Sequence, residues 1–336
     1  MRAWCVAVPR ERVEVVRRTL LEDGLLLKHL RIMQDGDRVY IPTSRRVDIG
    51  LPAEQREFDE GFVAIRSYQD VVDVPAGDRP FLPSSFDVVG DIAVIKIPEG
   101  LRAHREAIGR AILTWNPRIR VAVEDRGVKG EHRVRDIAVL AGEPRTTTVH
   151  VEHGLRYRVD LAHAYFSPRL ASERKRIADL TAEGETVADP FAGVGPYAIL
   201  IARRRRPRAV FASDVNPVAV ELLRANVAVN RADRVTVGEG DAREILRRIA
   251  PVDRVILDLP HSAREFLNDA LAATGAHGTI HLYRIVEAAE EMETVDAIRA
   301  SARAEGVRIV DLTRRHVRAY SPTRHHVAFD VTVARE

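Results

Sequence analysis

The run Val187-Ala188-Asp189-Pro190-Phe191-Ala192-Gly193-Val194-Gly195-Pro196-Tyr197 constrains this chain more than any other stretch. A short β-type run ends in an acidic residue, passes through two glycines spaced by one, and enters an apolar helical pattern from Tyr197 to Ala202. Strand, tight turn and helix therefore follow in order. Glycine lets the turn backbone approach a ligand closely, and the helix start behind it offers unpaired N–H groups. Pro196 breaks the dinucleotide fingerprint before a third glycine, so no pyrophosphate cradle is implied.

Three more strand ends repeat the pattern. Ala209 to Ser213 ends in Asp214-Val215-Asn216-Pro217, where Asp214 is placed to accept from ribose hydroxyls. Arg234 to Gly240 leads into Asp241-Ala242-Arg243, suited to an adenine amino group. Val255-Ile256-Leu257 leads into Asp258-Leu259-Pro260-His261. Polar tips at these intervals predict a doubly wound, mostly parallel α/β sheet with helices on both faces.

These blocks, with Tyr165-Phe166-Ser167-Pro168-Arg169-Leu170-Ala171-Ser172-Glu173-Arg174 before them, Glu265-Phe266-Leu267 after them, and Leu82 to Ala93 and Leu140-Ala141-Gly142 upstream, resemble a known family. The ordered set is similar to the class I S-adenosylmethionine-dependent methyltransferases, and the whole chain resembles the archaeal and eukaryotic tRNA (guanine-37-N1)-methyltransferases. The resemblance implies a Rossmann-like methyltransferase domain with an antiparallel last strand, preceded by two small α/β RNA-binding modules. It also implies S-adenosylmethionine as cofactor and tRNA as partner. The cofactor would rest on Tyr165, Phe166, Arg169, Asp189, Phe191, Ala192, Gly193, Gly195, Asp214, Val215, Asn216, Asp241, Ala242 and Asp258. Catalysis would fall to Glu173, Arg133, Asp258 and Pro260.

The 336 residues suffice for two or three domains. Residues 1–58 read as an N-terminal module: a strand from Ala3 to Val8, a helix from Arg10 to Leu21, and strands Arg38 to Pro42 and Arg46 to Ile49. By resemblance this module contacts tRNA at its outer corner, with Arg10, Arg12, Arg17, Arg18, Arg45 and Arg46 as phosphate partners; the same arginines also fit ordinary solvated surface. Residues 59–82 read as an acidic, proline-bearing linker. Residues 83–150 read as a second module with a strand at Asp87 to Ile97, a helix at Leu101 to Leu113, and strands at Ile119 to Val123 and Arg135 to Leu140. Residues 151–336 form the methyltransferase domain, and its last two strands, Arg308 to Asp311 and Val327 to Val333, flank a cationic loop from Arg314 to His326.

A net charge of +3 with charges of both signs throughout permits nucleic acid without demanding it. No apolar run of membrane length and no hydrophobic leader occurs, so a soluble, cytoplasmic protein is expected. Cys5 is the single cysteine, and His325-His326 lack helical ligand spacing, so no metal is expected. Nothing demands more than a monomer.

A guanine N1 carries a proton and attacks a methyl group only after losing it. A carboxylate is needed to take that proton and a cation to steady the charge that spreads onto O6. The resemblance gives these roles to Glu173 and Arg133, although Arg135 stands in the same basic loop. Spacing alone makes Glu173 part of a surface ion-pair ladder with Arg169 and Arg176. Asp258 departs from the family's asparagine; ionised aspartate only accepts hydrogen bonds, and it would orient the base edge or share in removing the proton. The rivals are transfer of the aminocarboxypropyl group of the same cofactor to a tricyclic-base precursor, and an RNA-binding protein without catalysis.

Overall fold

The computed structural model describes residues 1–61, 66–129 and 134–335. The chain divides into two compact units, Met1–Asp70 and Val71–Glu336.

In the first unit, strand β1 (Arg2–Pro9) runs into helix α1 (Val13–Glu22), followed by β2 (Met33–Asp35), β3 (Arg38–Thr43) and β4 (Ala53–Glu57), in sheet order β2-β3-β1-β4. Alternation along β1 sends Val6 and Val8 to the face covered by Val16 and Leu20 of α1, and Cys5 and Ala7 to a second cluster with Leu30, Tyr40 and Phe58. The strand expected at Arg46 to Ile49 is not formed; the fourth strand is Ala53–Glu57, antiparallel to β1. Its side chains Glu54, Gln55 and Glu57 are exposed, so this edge strand carries no apolar alternation to announce it.

The second unit opens with β5 (Asp87–Val89) and β6 (Ile92–Ile95), a hairpin turned at Gly90 (φ 59°) where one strand was expected. Helix α2 (Arg105–Trp115), β7 (Val121–Lys129) and β8 (Val134–Gly142) complete a sheet of order β5-β6-β7-β8. A hairpin of β9 (Thr147–Glu152) and β10 (Leu155–Asp160) follows. Asn226 and Asn230 clamp it by hydrogen bonding to both N–H and C=O of Arg158 and Arg156.

From there helices and strands alternate: α3 (Ala171–Leu180), β11 (Thr186–Asp189), α4 (Pro196–Arg204), β12 (Ala209–Asp214), α5 (Pro217–Asn230), β13 (Val235–Glu239), α6 (Ala242–Ile249) and β14 (Val252–Leu257). They continue as α7 (Leu267–Ala273), β15 (Thr274–Glu287), α8 (Ala288–Ala304), β16 (Arg308–Ala319) and β17 (Arg324–Ala334). The seven-stranded sheet has order β13-β12-β11-β14-β15-β17-β16, parallel from β13 to β15, with β17 antiparallel to both neighbours. This is the doubly wound sheet with an antiparallel last strand that the sequence predicts. Its strands bury both faces, Val187 joining one apolar cluster and Ala188 the other. Strand order reverses between β11 and β14, and in such sheets the ligand crevice opens at that switch, beyond the strands' carboxyl ends. The cationic segment expected as a loop is mostly strand: Arg314 to Ala319 pair with His325 to Phe329, leaving a turn of Tyr320 to Thr323.

Candidate active site

At the end of β11 the chain enters its tight turn. Gly193 and Gly195 take φ values of 55° and 90°, and a Cβ on Gly195 would lie 2.3 Å from Leu223 Cδ1, so only glycine closes this turn against α5. Gly195 caps α4, with Pro196 at its first position. Asp189 is fully buried, and both its oxygens lack a hydrogen-bond partner. Burial first, then the charges of Asp258 and Asp214, push its pKa well above the usual carboxylate range. Three strand tips thus bring the carboxylates of Asp214 and Asp258 within electrostatic reach of Asp189.

Asp214, at the end of β12, accepts from the Gly193 N–H at 2.8 Å and the Asn216 N–H at 2.9 Å, tying the first tip to the second. Ala192 N–H reaches Ser213 O at 2.9 Å. Asn216 accepts from Val218 N–H as the cap of α5 and donates to His163 O at 2.7 Å, so it builds the wall. Val215 beside it is 57% exposed, an apolar face open to a flat ligand. Asp241 caps α6 by accepting from Arg243 N–H at 2.8 Å, with Ala242 buried behind it. Phe191 meets Phe266 edge to face with centroids 4.9 Å apart, closing the crevice on the α7 side.

Glu173 sits in the first turn of α3, only 4% exposed, which overturns the surface ion-pair reading. Arg169, held by Asp87 at 2.6 Å, takes no part in its pairing. Arg176 forks onto Glu173 at 2.6 Å (Oε1) and 2.9 Å (Oε2), and Tyr283 of β15 donates to Oε1 at 2.8 Å. A carboxylate offers about four acceptor positions; the one left over is on Oε2. Ser167 does not cap α3 with its side chain: Pro168–Leu170 form a 3₁₀ turn first, and the Ser167 carbonyl accepts from Arg174 at 2.8 Å.

Asp258 ends β14 partly exposed, and among the described residues nothing hydrogen-bonds to it. Burial lifts its pKa to about 6; Arg174 and Arg318 pull it down, while Glu173 pushes it up. Pro260 O accepts from Ile285 N–H at 3.2 Å, fixing the Asp258-Leu259-Pro260 corner to β15. Arg133 lies outside the described residues. Arg135 is bound by Asp125 at 2.5 Å and stands 6.0 Å from the ring of Tyr165, which is 45% exposed. Phe166 is buried against Tyr157, His150 and Arg174, a packing role.

The tertiary structure adds groups that the sequence reading did not single out. Arg174 is buried, with its guanidinium on Glu152 at 2.6 Å. Tyr197 and Tyr283 lie near each other, tilted by 45°, with centroids 6.2 Å apart. Arg318 of β16 acts on Asp258 and on buried His326, whose pKa is held down to about 4 by burial and then by that arginine. A visible signal was available for His326 and Asp330, polar residues in an otherwise apolar strand; Tyr283 carried none.

Comparison with known proteins agrees with this geometry. Residues 148–310 match the family model described as the TRM5/TYW2 methyltransferase domain, residues 72–146 the TYW2 N-terminal domain, and residues 5–49 the tRNA methyltransferase 5 N-terminal domain. The tRNA (guanine(37)-N(1))-methyltransferase Trm5b of Pyrococcus abyssi is 38% identical over 331 residues, 98% of either chain. The crystal structure of wild-type Trm5b from Pyrococcus abyssi superposes with a TM-score of 0.75 at 37% identity, covering 99% of both chains. A complex of aTrm5 with tRNALeu superposes with a TM-score of 0.70 at 28% identity, covering 98% of this chain and 99% of that one. The chain belongs to the TRM5/TYW2 methyltransferase family.

Proposed function

We propose that this chain is a tRNA (guanine-37-N1)-methyltransferase that uses S-adenosylmethionine. The observation that carries the reading is the triplet Asp189, Asp214 and Asp258 at neighbouring strand tips beside a buried Glu173 with one acceptor position left. Asp189's orphaned oxygens and the repulsion it meets from Asp258 and Asp214 favour a cationic ligand, and S-adenosylmethionine carries a sulfonium and an ammonium. When bound, it supplies an activated methyl group. The Asp189 to Gly195 turn would hold its methionine end, Asp214 its ribose, and Val215 with Asp241 its adenine.

The chain's own work falls on the acceptor. Glu173 takes the N1 proton on Oε2, and Arg133 steadies the charge on O6. Asp258 accepts from the guanine edge, and the anchored Pro260 shapes the floor. Positioning supplies most of the remaining acceleration. Residues 1–58 contact the outer corner of the tRNA through Arg10, Arg12, Arg18, Arg45 and Arg46, which are exposed; Arg17 is engaged by Glu14 at 3.0 Å. Residues 59–82 act as linker, and 83–150 carry Arg133 to the methyltransferase domain, 151–336. We take one chain as the acting unit, in the cytoplasm.

Purified protein with methyl-labelled cofactor and two unmodified transcripts, guanosine or adenosine at position 37, tests this. Label recovered as 1-methylguanosine from the guanosine transcript alone is expected. A product heavier by an aminocarboxypropyl group would transfer the assignment to the TYW2-type reaction, which the match at residues 72–146 keeps in view. No product with either transcript overturns both.

A further inference from the structure

Glu173 is the first member of a file of buried and half-buried polar groups along α3. Arg176, one turn on, forks a second time onto Asp330 of β17 at 2.5 and 3.2 Å. Asp330 accepts at 2.6 Å from Nδ1 of His281, its cross-strand neighbour on β15. His281 Nε2 faces Arg254 of β14 at 2.5 Å. Arg254 is gripped by Glu185 at 2.7 and 3.0 Å and by the Leu180 carbonyl at 3.1 Å, where α3 ends. A guanidinium can only donate, so Nε2 must accept, which leaves the imidazole neutral with its proton on Nδ1. Burial, foremost, holds the His281 pKa down, against the pull of Asp330.

Apolar residues dock a helix on a sheet at least as well as buried ion pairs do. Resting on the reading of Glu173 as base, we propose that Asp330, oriented by His281, is a positioning residue for the reaction: it shares the Arg176 guanidinium and so leaves Glu173 able to take up a proton. With Asp330 neutral, the full Arg176 charge falls on Glu173. The other titratable groups facing Glu173 are Tyr283 of β15, Tyr197 of α4, His326 of β17 and Asp258 at the tip of β14. Burial keeps both tyrosines protonated and His326 neutral across the working range, and it raises the Asp258 pKa to about 6. Arg174, on the same helix, is spent on Glu152.

Single-turnover methylation of the guanosine-37 transcript between pH 5 and 8 compares the unaltered enzyme with Asp330→Asn. The pH profile of the variant should move to lower pH and its plateau should fall about threefold, with cofactor affinity unchanged. A rate lowered equally at every pH, or an unaltered profile, would overturn the proposal. Nitrogen-15 spectra of the histidine rings test the file without any substitution. His281 should keep its proton on Nδ1 from pH 5 to 8, and a proton on Nε2 or a titration in that window would overturn it equally. Failure of the unaltered enzyme to make 1-methylguanosine is a separate result and sinks the functional reading instead.

Discussion

The interiors of the two units are built differently. In Met1–Asp70, Thr43 is the one buried polar side chain among the described residues apart from its tyrosines; Val6, Leu20 and Ile41 on one side of the sheet and Cys5 and Phe58 on the other fill the rest. The second unit buries Glu152, Glu173, Arg174, Asp189, Arg254, His281 and His326. The first interior is held by apolar burial. Burying charge is costly unless it is paired, so the second interior gives up stability that the first keeps.

The sharpest way to break this contrast is to orphan a buried charge. Arg174→Met leaves Glu152 unpaired and should cost about 4 kcal/mol, read as a lower urea midpoint; a loss under 1 kcal/mol would mean that the pair is solvated. Leu20→Ala in the apolar interior should cost about 3 kcal/mol, yet leave cofactor titration untouched. Coupled loss of cofactor binding would erase the distinction between the units. Glu173→Gln should lower the single-turnover rate by about a hundredfold at unchanged cofactor affinity, and full rate at neutral pH would remove Glu173 as the base.

The smallest effect runs the other way. Asp258 has a folded pKa raised to about 6, so the folded state holds its proton more tightly than the unfolded chain does. Its charge therefore costs stability that is absent at pH 4, grows as pH rises, and is complete above pH 6. Asp258→Asn should stabilise the protein by about 1 kcal/mol at pH 7.5, a figure discounted for the water that reaches the partly exposed carboxylate. The gain should vanish toward pH 4. A stabilisation that persists at pH 4 would show that the aspartate is not titrating.

The sequence by itself determined the strand tips, the glycine turn and the order of helices and strands, and with them the doubly wound sheet. Those features are short-range: a period-two run, a φ above zero at Gly193 and Gly195, and a helix start at Pro196 are each fixed within a dozen residues. It named Glu173 and Asp258 but not their states. Within residues 1–58 the edge strand Ala53–Glu57 gives no sequence signal because an edge exposed on both faces needs no apolar alternation, and Arg314 to His326 reads as loop because charged residues also suit the outermost pair of a sheet.

Only the tertiary structure decided which guanidinium meets which carboxylate. Arg176 and Asp330 are 154 positions apart, Tyr283 and Glu173 are 110 apart, and Arg254 reaches Glu185 across 69. Pairing at that range depends on the register of β14, β15 and β17 beneath α3. Register is set by the sum of packing over the whole sheet and leaves no mark on the residues that it brings together.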